Sequence, residues 1–232
     1  MISELILFSV SLLPALLIGI FVYVRDKNKE SSSLLAKLFF GGIGACFLTL
    51  ITTVVLHTVI PFFSADTNTL NSLELVIYVF IGVALIEEAC KWIMAYKISY
   101  NDLEFDEYYD MIVYCIFVAL GFACFENLFY VYSSGIEIGL IRAISAVPSH
   151  ACDGFLMGYF LGLAKIYDIR NQKKEKTKYL ILSLLIPVVA HGIYDYCLFN
   201  GETLFMIIFY VFAIGLFIFT TAKIIKISRN QC

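Results

Sequence analysis

Charge is what this sequence has least of. Only 15% of its 232 residues are Asp, Glu, Lys or Arg, against 61% hydrophobic. A soluble domain of this length carries roughly a quarter charged residues, and no water-soluble packing buries such an apolar excess. The composition therefore excludes a soluble enzyme or a nucleic-acid binder, and leaves the lipid bilayer as solvent. Four prolines and a single tryptophan leave the apolar runs nearly uninterrupted. The seven cysteines (46, 90, 115, 124, 152, 197 and 232) form no C-x-x-C pair and fall mostly inside apolar runs. A disulfide framework or a cysteine zinc site is thereby disfavoured, and six of them read as small hydrophobes. The first stretch, Met1 to Val24, lacks a basic leader and a small-x-small cleavage site, so it reads as a membrane span rather than a removed signal.

Seven apolar runs are long enough to cross, near residues 2–24, 34–62, 72–98, 110–132, 138–165, 178–199 and 203–225. Pro61, Pro148 and Pro187 mark expected kinks or ends. The loops around Phe62–Ser72, Tyr132–Glu137 and Asn200–Thr203 contain no Lys or Arg. Basic residues crowd the other side instead: Arg25, Lys27, Lys29 and Lys37, then Lys97, then Lys165 to Lys178, then Lys223, Lys226 and Arg229. The positive-inside rule then puts the N-terminus outside and the C-terminus inside. The expected fold is an all-α polytopic bundle forming one membrane domain over residues 1–232, multi-pass in the cell membrane. The acidic turn Asp102, Glu104, Asp106 and Glu107 reads as a solvated loop.

Ionisable residues inside spans are costly and mark function by default. Glu87-Glu88-Ala89-Cys90-Lys91 sets Glu87 and Lys91 one helical turn apart, with Glu88 about 100° round the helix. Glu126-Asn127 interrupts a run of apolar residues in the fourth span, and His150 follows Pro148 in the fifth. His191 and Asp195 share a helix face in the sixth, so the aspartate is placed to fix the imidazole's tautomer. His57 has no acidic neighbour in its run and reads as structural or interfacial. Counting 1.5 Å per residue puts Glu87, His150 and His191 roughly 12–21 Å below the outer surface. Glu126 comes out at roughly 9 Å, so it needs a tilted or kinked helix to join them.

Carboxylates, imidazoles, an amide and an ammonium are the parts of a hydrolase that activates water. No G-x-S-x-G occurs, which removes a serine elbow. No H-E-x-x-H occurs either, which removes the usual zinc helix, although Glu87, His150 and His191 have the ligand types for zinc. The same groups also suit a proton-coupled membrane carrier or a non-catalytic partner of another membrane helix. The internal repeat expected of many carriers is missing.

Glu87-Glu88-x-x-Lys91, Phe122-x-x-x-Glu126-Asn127, His150 and His191-x-x-x-Asp195, in that order, resemble the motifs of the PrsW family of intramembrane proteases, relatives of the type II CAAX prenyl endopeptidases. The resemblance covers residues 82–196. It implies an intramembrane endopeptidase making the first cut in a membrane-anchored anti-sigma factor during a stress response, with no nucleic-acid partner. It further implies Glu87 as general base supported by Glu88 and Lys91, and His150 and His191 at the water or oxyanion. Asp195 would orient His191, and Glu126 with Asn127 would complete the site. With no recognised ligand motif, the expected mechanism is metal-free and the expected cofactor is none.

Overall fold

The computed structural model describes residues 2–231, with side chains from Ser9 onward; Met1 and Cys232, named above, lie outside the described residues. Among these residues the protein is all helix. The long elements are α1 (Ile2–Val24), α2 (Ser32–Val59), α5 (Tyr108–Ser134), α7 (Ala146–Ile169), α8 (Lys173–Asn200) and α9 (Thr203–Arg229). Between α2 and α5, two short 3-10 turns precede a composite helix. It runs through α3 (Ser72–Ile77), a π-helical segment (Tyr78–Ala84) and α4 (Leu85–Ser99). The short α6 (Ile136–Ile144) precedes α7.

Four of these helices, α2, α5, α8 and α9, are long and apolar enough to cross a membrane. Large apolar side chains such as Leu13, Phe40, Val54, Val59 and Val211 are more than half exposed, a surface suited to lipid rather than water.

Local chemistry sets the helix ends. Ser31 caps α2, its Oγ accepting from Leu34 N, while its own N–H and hydroxyl donate to the Glu104 carboxylate at 2.7 Å each. Those donors hold the exposed Glu104 carboxyl below its usual range. Pro61 opens a 3-10 turn just after α2 stops, as expected of a proline that cannot continue a helix. Asn71 and Glu74 make a reciprocal capping box at α3. Gly135 (φ 93°) and Gly201 (φ 69°) adopt conformations that L side chains resist, and each ends a helix. Pro187 lies inside α8 and does not end it. Pro148 does not break its helix. The break in the run expected over 138–165 falls at Ser145, and Pro148 sits in the first turn of α7, where its missing N–H costs no helical bond.

α5 is the centre of the bundle and packs against α7, α2, α1 and α4. Its approach to α2 is close enough to exclude a side chain. A Cβ on Gly42 would lie 2.0 Å from Val118 O, and one on Gly121 would lie 1.9 Å from Phe39 O. Small residues let helix backbones meet where no hydrophobic effect separates helix from lipid. On the other flank, Gly154 and Gly158 bring α7 onto the α5 backbone in the same way. The six described cysteines are free thiols, five of them buried, in line with their reading as small hydrophobes.

Enlarging Gly42 or Gly121 should therefore separate α2 from α5. Gly121→Val is expected to cost at least about 1–3 kcal/mol of stability. Thermal unfolding in detergent should show it as a lowered midpoint, whereas Gly215→Ala, whose Cβ meets nothing inside a helix, should hold or raise it.

Candidate active site

The polar residues scattered along the sequence converge where α4, α5, α7 and α8 meet. Glu88 and Lys91 form the buried centre. The ammonium lies 2.6 Å from Glu88 Oε1, and these side chains are 0% and 1% exposed. The same ammonium lies 3.7 Å from Glu87 Oε2, 3.0 Å from His150 Nδ1 and 4.2 Å from the centre of the Phe122 ring. An ammonium can only donate, so His150 Nδ1 accepts and its proton sits on Nε2. Nε2 then donates to Glu126 Oε2 at 2.9 Å, which settles the tautomer.

His191 is held from both sides. Its Nδ1 lies 2.7 Å from Glu88 Oε1, and its Nε2 lies 3.2 Å from Asp195 Oδ2 and 3.8 Å from Glu87 Oε2. Phe80 of the π segment packs where a Cβ on Gly192 would be, 2.5 Å from its ring atoms. Only a glycine there lets α8 come close enough for His191 to reach Glu88.

A cavity of about 270 Å³ opens beside this network, bordered by Glu87, Glu126, Arg142, His150, Asp153, His191 and Asp195. Two of these, both ionisable residues within apolar runs, were given no role in the site from sequence. Asp153 Oδ2 lies 3.9 Å from His191 Nδ1, and its Oδ1 has no partner. Arg142 of α6 pairs with Glu126 Oε2 at 2.7 Å and lies over the Tyr130 ring at 3.7 Å. A lone arginine inside an apolar run was the signal for it. Glu126 does share the pocket, because the break at Ser145 lets α6 and α7 wrap its end of α5.

Of the sequence candidates, Glu88 and Lys91 lie behind the cavity wall within this network, and Asn127 joins neither the cavity nor the network. It is fully buried, and its Nδ2 donates to Gly139 O at 3.3 Å, tying α5 to α6. His57 lies near the C-terminal end of α2, away from these groups.

The charge count of the site is unbalanced. Five carboxylates (Glu87, Glu88, Glu126, Asp153 and Asp195) face two permanent cations, Lys91 and Arg142, leaving a deficit of three, 5 − 2. Protons on the imidazoles and carboxyls, or a bound cation, must supply the difference in so buried a place.

The sequence pattern of PrsW family intramembrane metalloproteases matches residues 30–221. The chain belongs to this family. It is similar along almost its whole length to a protease PrsW of Oceanobacillus iheyensis, 34% identical over 97% of each chain. It is also similar to one of Clostridioides difficile, 31% identical over 97% of this chain and 92% of that one. A Bacillus subtilis protease PrsW is 40% identical over 51% of this chain and 53% of its own. No solved structure matches. The protein is thus a membrane-embedded protease, multi-pass in the cell membrane, and the carrier and helix-binding readings give way to the enzymatic one.

The family's description as metalloproteases implies a metal ion, and the donors present fit one. Glu88, His150, Asp153 and His191 are all buried and each offers a ligand atom within 4.8 Å of the others; Glu87, Glu126 and His150 form a second such group. Carboxylate and imidazole are zinc's usual donors besides thiolate, and Glu88 Oε2 and Asp153 Oδ1 are buried without partners. The sequence expectation was no cofactor, with Glu87, His150 and His191 as the residues whose types allow zinc; the structure groups Glu88, not Glu87, with both histidines. These donors come from three helices, so no local ligand motif precedes them, and its lack in the sequence carries no weight against a metal.

Asn127→Ala should remove the link between α5 and α6 and leave the groups on α4, α7 and α8 in place. The expected outcome is a loss of roughly 1–3 kcal/mol of stability, read by thermal unfolding, with cleavage reduced but retained.

Proposed function

We propose that this protease cuts a membrane-anchored protein, a single-span anti-sigma factor, with Glu87 activating the attacking water. The observation that carries the reading is the position of Glu87. It borders the cavity, its Oε2 has no hydrogen-bond partner, and Lys91 and His191 lie within 4 Å of that oxygen. Glu88, by contrast, is enclosed between Lys91 and His191 and serves to hold them.

In this scheme Glu87 takes a proton from water as the water oxygen attacks the scissile carbonyl. His191, positioned by Glu88 and Asp195, brings an N–H donor to the oxyanion that forms, and His150 joins it by turning its one N–H, on Nε2, away from Glu126, which Arg142 still pairs. Glu87 then returns its proton to the leaving amide nitrogen as the C–N bond breaks. Arg142 holds Glu126 and completes the wall. Asn127 contributes by fixing α6, which carries Arg142. A zinc ion bound by Glu88, His150, Asp153 and His191 would polarise the carbonyl and acidify the water.

Access from the membrane supports a substrate of this class. An apolar cavity of about 650 Å³ between α6, α7, α8 and α9 shares Arg142, Ser149, Tyr194 and Leu198 with the polar one. A substrate's membrane segment docked there would present its end to the reacting groups. We also take the composite helix α3–α4, the pair α6–α7 and α1 as spans, giving seven with the N-terminus outside and the C-terminus inside. Residues 1–232 then form a single membrane domain whose catalytic motifs fall within 82–196. The basic residues of the α1–α2 and α7–α8 links support that orientation.

The test is cleavage of a co-expressed single-span anti-sigma factor. Glu87→Gln and His191→Ala should each lower cleavage about 100-fold or more while both variants insert and purify like wild type. Unchanged cleavage by Glu87→Gln would remove Glu87 as the base. A strong zinc chelator separates the two ways of activating the water. Loss of cleavage restored by zinc assigns an ion to the histidine set, and cleavage that persists leaves Glu87 acting without one.

A further inference from the structure

A second group of buried carboxylates lies apart from the cavity, where α1 ends and α2 and α5 begin. Asp26 and Glu30 come from the α1–α2 link and Asp110 from the first turn of α5. They are 1%, 5% and 0% exposed, and one oxygen of each lies within 4.8 Å of the others.

Nearby donors do not neutralise them. Asp106 N and Glu107 N donate to Asp110 Oδ2 at 2.8 and 2.7 Å, leaving Oδ1 without a partner. Of the two lysines of the link, Lys29 is near enough for its charge to act against the rise at Asp26, but neither hydrogen-bonds to a carboxylate of the three. Lys29 Nζ donates to the backbone carbonyl of Asp26 at 3.3 Å, and Lys27 Nζ to that of Gln231 at 2.6 Å. Both carboxylate oxygens of Asp26 and Oε1 of Glu30 have no partner, and among the described residues no Lys or Arg forms an ion pair with any of the three. A neutral group points to the same place. The Tyr114 hydroxyl, on a fully buried side chain of α5, faces Glu30 and makes no hydrogen bond within bonding distance.

Three buried carboxylates so close together repel one another and lose their hydration. Burial first, and then Asp110 and Asp26, push the Glu30 carboxyl up to about 8, and burial raises Asp26 as well. A fold that gathers them needs a positive partner. The donors are oxygen throughout, with no thiolate or imidazole, which selects a hard ion over zinc or copper. Asp106 and Glu107 lie within the same distance of Asp110 and add negative charge at the rim.

We propose that Asp26, Glu30 and Asp110 bind a hard divalent cation, calcium or magnesium, which clips the α1–α2 link to the start of α5. The site is separate from the protease centre. Its occupant acts on the bundle rather than on the substrate, because α5 carries Glu126 at its far end.

The test uses the full-length chain in detergent micelles freed of divalent ions, with calcium or magnesium as the only ion added. Equilibrium binding is compared for wild type, Asp26→Asn, Glu30→Gln and Glu87→Gln. Wild type and Glu87→Gln should bind one ion saturably, and affinity should fall roughly tenfold or more in Asp26→Asn and Glu30→Gln. In wild type, adding the ion should slow amide hydrogen exchange over residues 25–31 and 106–114. Wild type that binds neither ion saturably, or exchange that the ion leaves unchanged, overturns the proposal. So does binding that survives both link variants, or that is lost only in Glu87→Gln. Because exchange is read on wild type, a link variant that fails to fold does not decide the matter.

Discussion

A charge inside an apolar bundle must be met by an opposite charge at hydrogen-bond distance, and the contact between Lys91 and Glu88 is where this protein meets that demand. Removing either partner would leave the other buried and unpaired, which costs far more than the pair itself contributes. The rest of the site follows from this contact. Lys91 fixes the tautomer of His150, whose far nitrogen then binds Glu126. Glu88 fixes His191, whose far nitrogen faces Asp195. Two imidazoles are thereby aimed from one ion pair, their ring centres 5.3 Å apart and nearly edge to face. The carboxylate left over at this centre is Glu87, and that is why its neighbour in sequence can be structural while it faces open space.

The backbone makes this convergence possible by removing side chains. Glycines on α2, α5 and α7 let these helices touch at the backbone, and Gly192 does the same for α8. In a membrane, close helix contact comes from packing and polar links rather than from expulsion of water. The stacked aromatic series Trp92, Tyr96 and Tyr100 continues down α4 from the ionic centre, and Trp92 Nε1 donates to Ser183 of α8 at 2.8 Å. The helix that supplies the ion pair is therefore fastened to the helix that supplies His191 at two levels.

Much of this was legible in the sequence. The low charge and the long apolar runs pointed to helices in a membrane, and the ionisable residues inside those runs, Glu87, Glu88, Lys91, Glu126, His150, His191 and Asp195, do come together. What the sequence hid depends on three-dimensional placement. Rise per residue put Glu126 too shallow, because a count along straight helices cannot foresee the break at Ser145. Asn127 adjoins Glu126 in sequence but points about 100° away around the helix, toward α6. Asp153 is an ionisable residue in the same run as His150, three positions on, but only the packing of α7 on α8 shows that it faces His191. The acidic turn after α4 read as solvated, yet its neighbour Asp110 is buried, because the α1–α2 link folds over it.

The π-helical segment has a consequence for how this chain can vary. Seven residues from Tyr78 to Ala84 follow the wider winding, which takes up an additional residue relative to an α-helix while the helix continues on either side. It works as a phase adjuster. Phe63 packs against Gly82 on one side and Phe80 against Gly192 on another, so the segment is gripped at two points while Glu87 and Glu88 begin the turn that follows. Losing one residue here would let the segment wind as ordinary α-helix and leave the turns on either side nearly in phase, because the residue lost is the one the wider winding absorbs. The side chains inside the segment would be redistributed round the axis, so that Phe80 and Gly82 would not both keep their contacts with Gly192 and Phe63. A one-residue change in length thus falls on the contact with α8 rather than on the phase of the ion pair.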